Sequence, residues 1–412
     1  MTKDILISAS DHVTKSSSGE YYFNSKKLDL KLEANDEEYN HLVKIETENR
    51  LAEIINDFAG EQHENTIILT GAGASIIETD SVIKDDHIIY YSGKTVNQLT
   101  EDINEFLEEH GPFSLEDFTR EVKYIKETDD YTVDDINIED LLSKAEAAKE
   151  YIPLSDGFYE TLEKTEGRIK ELCDLTLHQE HPHKQFLRKL TARRNSHNRV
   201  KVFTTNYDTL FEQAAQEDEF LVIDGFSYDP LRKFNPFMFN YDFVRRKDDL
   251  IIDEPDYVEK VFHLYKLHGS VDWEKSNNNI IKKDNVEKPL MIYPRSNKFE
   301  QSYEPPYFEM FSRFQNELRK KNTLLITIGF SFADKHIETI VDNAVKNNPG
   351  LKLLIADYSI EQDGFKDFRE KAEKGHANIM LLEKDFQEFT ELYLKQKAYS
   401  DRFFEIQGDQ ND

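Results

Sequence analysis

The sequence predicts an α/β protein: a mostly parallel sheet with helices on both faces, carrying a mostly helical insertion and a small N-terminal extension. Three observations predict it. Short, nearly continuous apolar runs recur along the chain ("IILT", "VKVFT", "VFHLY", "TLLIT", "LKLLIA", "IMLL"), and strands covered on both faces read this way rather than as an alternation. Stretches with helical spacing separate these runs. Several of the runs end in loops of small and polar residues, as strands do where they open into a ligand crevice. The pattern is that of a Rossmann-like sheet.

A chain of 412 residues is long enough for more than one module. With 38% hydrophobic and 12% aromatic residues it can build a real core, and global disorder is not expected. The net charge of -29 would repel a phosphate backbone, so autonomous nucleic-acid binding is not expected. The single Cys173 excludes an internal disulfide and any paired Cys-x-x-Cys zinc site. No run of apolar residues is long enough to span a membrane, and the opening "MTKDILISASD" carries no signal-peptide pattern. A reducing cytoplasm is the expected location.

Residues 1–60 read as an N-terminal extension. A short alternating segment meets a turn at "KSSSGEYYF", and a helix follows, with Leu42, Ile45, Leu51, Ile54, Ile55 and Phe58 at helical spacing and Gly60 as its stop. The main domain is expected over 61–396, starting with a strand at Thr66–Thr70. A mostly helical insertion covers 77–199. Within it "VNQLTEDINEFLEEHG" stops at Gly111, "SLEDFTREVKYIKE" opens with Ser114 and an acid three positions on, and "NIEDLLSKAEAAKEY" and "FYETLEKTEGRIKELCDLTLHQE" are helical by period. The strand pattern returns at "NRVKVFTTNYD", with a helix at "TLFEQAAQE". A second insertion of aromatic and Asn-rich character covers about 225–260. "VFHLYKLHGSVDW", "NTLLITIGFSFADKHIETIVDNAVKNN", "LKLLIADYS" and "ANIMLLEKDFQEFTELYLKQ" complete the strands and helices, and 397–412 is a tail.

Four strands end in loops that would share one edge of the sheet. In "TGAGAS", Gly71 and Gly73 would let backbone N–H groups approach a pyrophosphate, with Ser75 as a further donor, unless the loop is an ordinary strand-to-helix turn. In "FTTNYD", Asn206 and Asp208 can place an amide and a carboxylate in a pocket, or can cap the next helix. In "KLHGSVDW", His268 precedes a glycine and would stand at a loop edge, whereas a lone histidine can equally be structural. In "TIGFSFADKHI", Gly329 and Ser331 form a second loop able to meet phosphate or ribose, and Asp334 would cap the helix near Lys335.

Together, "TGAGAS", "TTNYD", "LHGS" and "IGFSFAD" resemble the sirtuin superfamily, in its divergent bacterial branch of antiviral NAD+ hydrolases. "NIEDLLS" and "LMIYPRSNKFEQSYEPPYFEMFSRF" also resemble stretches of that branch. The similarity spans about residues 65–345 and leaves the first sixty aside. It implies that Gly71, Ala72, Gly73 and Ser75 hold the NAD+ phosphates and adjacent ribose. It places Asn206 beside the nicotinamide ribose and Asp208 against the carboxamide, with Thr205 among the NAD+-binding residues. His268 is then the catalytic histidine, and Gly329 and Ser331 form the second ribose and phosphate loop. The departures favour hydrolysis over protein deacylation. "IIETDSVIKDD" stands where a deacylase has Gly-Ile-Pro-x-Phe-Arg, the paired cysteines of the zinc module are missing, and 62 positions separate Asn206 from His268.

The resemblance implies cleavage of the nicotinamide–ribose bond in anti-phage defence, with NAD+ as substrate and no metal. Asn206 and His268 are the expected catalytic pair, and an oxocarbenium-like state is the expected intermediate charge. A free NAD+ hydrolase is toxic to its own cell, so gating is expected. The chain ends soon after "ELYLKQKAYSDRFFEIQGDQND", which favours gating by homo-oligomerisation and by a separate partner, a HerA-type hexameric ATPase, over an appended sensor. Two alternatives stand beside this: an NAD+-dependent protein deacylase, and a non-catalytic module that senses NAD+ or ADP-ribose. A nuclease is a weaker third, since no metal-ligand cluster has convincing spacing and His181 and His183 read as loop residues.

Overall fold

A computed structural model describes residues 2–30, 36–60, 63–84, 87–124, 132–151, 153–192, 197–245, 256–277, 279–291 and 306–393. The expected tail at 397–412, part of the second insertion and the whole "IYPRSNKFEQSYEP" stretch lie outside the described residues.

The main sheet has eleven strands. In chain order they are β1 (Thr2–Ser8), β2 (His12–Ser16), β3 (Tyr21–Phe23), β4 (Lys26–Lys27), β5 (Asn65–Thr70), β6 (Val200–Thr204), β7 (Leu221–Ile223), β8 (Val261–Lys266), β9 (Thr323–Ile328), β10 (Leu351–Asp357) and β11 (Ile379–Glu383). They lie in the order β4-β3-β2-β1-β11-β10-β9-β5-β6-β8-β7. The seven strands from β11 to β7 are all parallel. Every residue of β5, β6, β8, β9 and β11 is buried, which is why these strands read as unbroken apolar runs. The sequence expectation of an α/β fold with a parallel, doubly covered sheet holds.

Helices cover both faces. Ile68, Val202, Leu264 and Ile326 pack beneath α1 (Asp36–Ala59), α6 (His183–Thr191), α7 (Leu210–Glu217) and α11 (Phe386–Leu392). Ile67, Phe203, Tyr265 and Leu325 pack beneath α8 (Tyr307–Leu318), α9 (Lys335–Asn347) and α10 (Lys366–Glu373) on the other face. In α1 the buried stripe is Val43, Thr47, Leu51, Ile55 and Ala59, spaced by four, and Ile45 faces solvent. Hydrophobicity alone misplaces this stripe by a residue, because a threonine and an alanine belong to it.

The first sixty residues are part of the same architecture. β1 pairs antiparallel with β11 and carries β2, β3 and β4 outward as a meander. Within 77–199, an antiparallel hairpin (Ser81–Lys84 with His87–Tyr90) leads into four helices: α2 (Val96–His110), α3 (Leu115–Glu121), α4 (Ile138–Tyr151) and α5 (Asp156–Cys173). These enclose their own core around Ile103, Phe118, Leu141 and Phe158. α5 stops at Cys173, short of the expected end, and α6 leaves this module to cover the main sheet. In the second insertion Phe226 and Phe239 enter the main core, with Phe234 packed against it. Among the described residues no helix is long and apolar enough to cross a membrane.

β5 is flanked by β6 on one side and by β9 on the other, so the chain leaves it in opposite directions. The register brings Thr70 level with both Thr204 and Ile328, and Thr204 level with Lys266. Four strands therefore end in line at a topological switch point, where parallel sheets bind their ligands.

Candidate functional site

At those strand ends lies a cleft of about 1200 Å³. Typical small-molecule pockets span roughly 300–1,000 Å³, so there is room for a dinucleotide. All ten residues singled out from the sequence line it: Gly71, Ala72, Gly73, Ser75, Thr205, Asn206, Asp208, His268, Gly329 and Ser331.

The two glycine loops pack backbone against backbone. Gly329 has φ +55, and a Cβ there would lie 2.5 Å from the Gly73 Cα; a Cβ on Gly73 would lie 2.7 Å from the Gly329 Cα. The Gly71 N–H donates to the Ile328 carbonyl at 3.2 Å and the Gly73 N–H to the Gly329 carbonyl at 3.0 Å. The amides of these two glycines are thus used within the protein, and the glycines serve the close approach of the loops. Among the described residues, the amides of these loops without a protein acceptor include those of Ala72, Phe330 and Ser331, all of which line the cleft. They are the donors available to an anion.

Asn206 sits in a chain of hydrogen bonds. Its Nδ2 donates to the Gly71 carbonyl at 2.9 Å and to Ser75 Oγ at 2.7 Å, and Ser75 Oγ donates to Asp208 Oδ2 at 2.6 Å. Asp208 Oδ1 accepts the Leu210 N–H at 3.0 Å. A carbonyl can only accept, so the contact to Gly71 fixes the amide orientation and leaves Asn206 Oδ1 as an acceptor for a water or hydroxyl. The only proton of the Ser75 hydroxyl goes to Asp208. Ser75 therefore orients Asn206, and its expected role as a phosphate donor is not supported. Asp208 thus lines the cleft and closes the turn that leads into α7, whose N-cap is Thr209.

His268 is buried at the end of β8, and its Nε2 lies 3.2 Å from Asp334 Oδ2. Asp334 also caps α9, its Oδ1 accepting from the N–H groups of His336 and Ile337 at 2.9 and 3.1 Å. Burial by itself would raise the pKa of Asp334, but the His268 imidazole and the two amides hold it below the usual carboxylate range. Glu139, in the first turn of α4, brings a second carboxyl into the cleft and accepts from the Tyr207 hydroxyl at 3.3 Å. Its pKa is raised, because desolvation outweighs the pull of His268.

A buried lysine holds the Asn206 turn in place. Lys266 Nζ donates to the carbonyl of Asp208 and, at 3.3 Å, to that of Tyr207. The Tyr207 carbonyl also accepts from Ser270 Oγ at 3.2 Å and from the Val271 N–H at 3.0 Å. Nearby, Lys282 pairs with Glu212, Asp224 and Asp272. Asp357, the last residue of β10, and Tyr358 and Gln362 after it also line the cleft. Burial pushes the Asp357 carboxyl up to about 6.

Sequence reasoning missed Glu139, Lys266 and Asp357, and saw Asp334 only as a cap. "NIEDLLS" marked the right helix without marking the acid. Lys266 and Asp357 are each the last residue of a strand that was recognised. Among the described residues no group of three or more His, Cys, Asp or Glu side chains is gathered as a metal site requires.

A family described as a SIR2-like domain matches residues 200–382, from β6 to β11. That span contains Asn206, His268 and the Gly329 loop; the Gly71 loop precedes it. Among solved structures, one described as "The Structural basis of Sirtuin Substrate Affinity" aligns at 13% identity over 83% of this chain and 96% of its own, with a TM-score of 0.34. No curated protein matches the chain.

Proposed function

We propose that this chain is an NAD+ glycohydrolase, cleaving the nicotinamide–ribose bond to give nicotinamide and ADP-ribose. The carrying observation is the cleft itself: level strand ends bring two glycine loops, Asn206 and His268 together at the switch point, and Asn206, His268 and the Gly329 loop fall inside the span that matches a SIR2-like domain. SIR2-like domains use NAD+, which makes that dinucleotide the ligand to test.

The C1′–N bond breaks and its electron pair returns to the nicotinamide ring, leaving oxocarbenium-like charge on the ribose. Water adds to C1′ and its proton passes to His268 and then to solvent. Asn206 Oδ1 is the acceptor that orients the water, because its Nδ2 is held by Gly71 and Ser75. Base catalysis of this kind contributes about 10²–10⁴-fold. The pyrophosphate belongs at the free amides of Ala72, Phe330 and Ser331, and the adenosine end towards Asp357. Hydrolysis is favoured over deacylation because a single cysteine cannot build the deacylase zinc module.

In the cell the proposed setting is the cytoplasm and the role anti-phage defence by NAD+ depletion. Homo-oligomerisation and a HerA-type ATPase are the proposed gates. The test is to incubate the purified protein with NAD+, with and without the ATPase, and to identify products by chromatography. Nicotinamide and ADP-ribose are expected, and Asn206→Ala and His268→Ala should each lower turnover at least 100-fold while the protein stays folded. O-acetyl-ADP-ribose formed from an acetyl-lysine peptide would favour the deacylase instead. Full activity in both variants would overturn the assignment of the pair.

A further inference from the structure

We propose that Asp334 is a positioning residue for the reaction: it holds His268 through Nε2, so that Nδ1 is the nitrogen that takes the proton. This rests on His268 being the base of the glycohydrolase proposed above.

The geometry carries it. Capping α9 needs one oxygen, and Oδ1 alone receives both amides of the cap. The other oxygen, Oδ2, faces His268 Nε2 at 3.2 Å, where the two side chains are only 7% and 13% exposed. The thirteen-residue helix α9 fixes the carboxylate in place. A carboxylate acceptor facing Nε2 requires a proton there, and a neutral ring then carries its lone pair on Nδ1. Among the described residues Nδ1 has no protein partner. The same carboxylate stabilises the imidazolium that forms when Nδ1 accepts the proton.

Other charged groups also line this cleft: Glu139 from α4, Asp208 after β6, and Lys335 and His336 at the start of α9, with the Tyr307 hydroxyl from α8. Glu139 acts on His268 in the same sense as Asp334 but without touching it. Lys335 acts in the opposite sense and is paired with Glu338 at 2.8 Å. Asp334 is the carboxylate in direct contact, so its removal should move His268 most.

Asn caps a helix about as well as Asp, so Asp334→Asn separates the cap from the pairing. Carboxylates that orient a metal-bound histidine are worth roughly 10–100-fold, and the same orienting contact is made here to a histidine base. We expect kcat to fall by about that factor with KM little changed, the acid limb of the kcat–pH profile to move to lower pH, and the melting temperature to hold. Glu139→Gln should move the profile less. ¹⁵N-histidine NMR on the intact chain adds a readout that needs no turnover. Wild-type His268 should show the Nε2–H tautomer, and its titration should move to lower pH in Asp334→Asn. If Asp334→Asn melts early, Asp334→Ser keeps a cap without the second oxygen and should give the same NMR shift. An Nδ1–H tautomer in the wild type, or a titration and profile that do not move in the folded variants, would overturn the proposal. If the wild type never consumes NAD+, the glycohydrolase proposal falls, while the NMR result still decides the role of Asp334.

Discussion

At the scale of single residues, the site depends on backbone positions that tolerate no substituent. Gly329 combines φ +55 with a neighbour 2.5 Å from where a Cβ would sit. That neighbour is the backbone of the other glycine loop, so no side-chain rotation can relieve the clash. The same loop holds Phe332 at φ +57, a conformation that costs a bulky residue of order 1–3 kcal/mol and persists only where its surroundings enforce it. Here they do, since the Phe332 ring is fully buried, with centroids 5.0 Å from Phe330 and 4.9 Å from Phe368. Gly329→Ala should therefore push the two loops apart. We expect a loss of about 1–3 kcal/mol in stability from the backbone alone, read by urea denaturation, and at least a tenfold weaker NAD+ affinity by calorimetry. A variant that binds NAD+ as tightly as the wild type would show that the loop contact is dispensable.

Elements place the chemistry by ending together, and that was largely legible in the sequence. The runs at 67–70, 200–204, 261–266 and 323–328 announced strands because burial on both faces demands unbroken apolar residues. The loops after them pointed to a site because four of them share one edge of the sheet, although each alone could be a turn or a cap. Contributions that depend on partners distant in the chain were not legible. Glu139 matters because α4 is folded back over the cleft, and Asp334 because its second oxygen meets a histidine sixty-six positions away. The ends of α3 and α5 were overrun because apolar residues continue past each helix end and stay buried there in non-helical backbone, as Val122 and Leu175 do. Lys266 shows most plainly what pattern cannot reveal. It reads as the polar end of a strand, yet it is 2% exposed and gathers two carbonyls of the Asn206 turn. Its nearest carboxylate, Glu212 at 3.5 Å, also has Lys282, so Lys266→Met strands the carbonyls more than the acid. Breaking a buried ionic contact typically costs 3–5 kcal/mol, and because Glu212 keeps a partner we expect the lower end of that range by urea denaturation. The variant should also lose turnover through a loosened Asn206. Unchanged kcat in a destabilised Lys266→Met protein would confine Lys266 to folding.

For the whole molecule, the relevant charges are inside as well as outside. The surface charge of -29 falls in magnitude as pH drops, while the interior holds histidines that must stay neutral. Burial depresses the pKa of His183, which packs against Phe211 of α7 and Phe386 of α11, and that of His181 beside it. His263, in the middle of β8, is pushed down to about 3 by burial, with Lys201 and Arg199 adding to the effect. The sign follows from proton counting. Below the unfolded value of about 6.5, the unfolded chain binds a proton that the folded chain refuses until about pH 3. Stability is thus fully present above pH 6.5 and is lost progressively as pH falls through that window, with a limiting slope of about 1.4 kcal/mol per pH unit for each such histidine. Asp357, raised to about 6, works the other way, because the folded state binds its proton first and gains stability between about pH 6 and 4. A single histidine can be isolated from these opposing terms by difference. Urea denaturation of wild type and His263→Gln at pH 7.5 and 5.5 should show the wild type losing about 1.4 kcal/mol more than the variant over that interval. The candidate cleft lies past the end of β8, away from His263, so turnover at pH 7.5 should be similar in the two proteins. Equal losses in both would mean that His263 titrates normally and that the centre of the sheet is wetter than its packing implies.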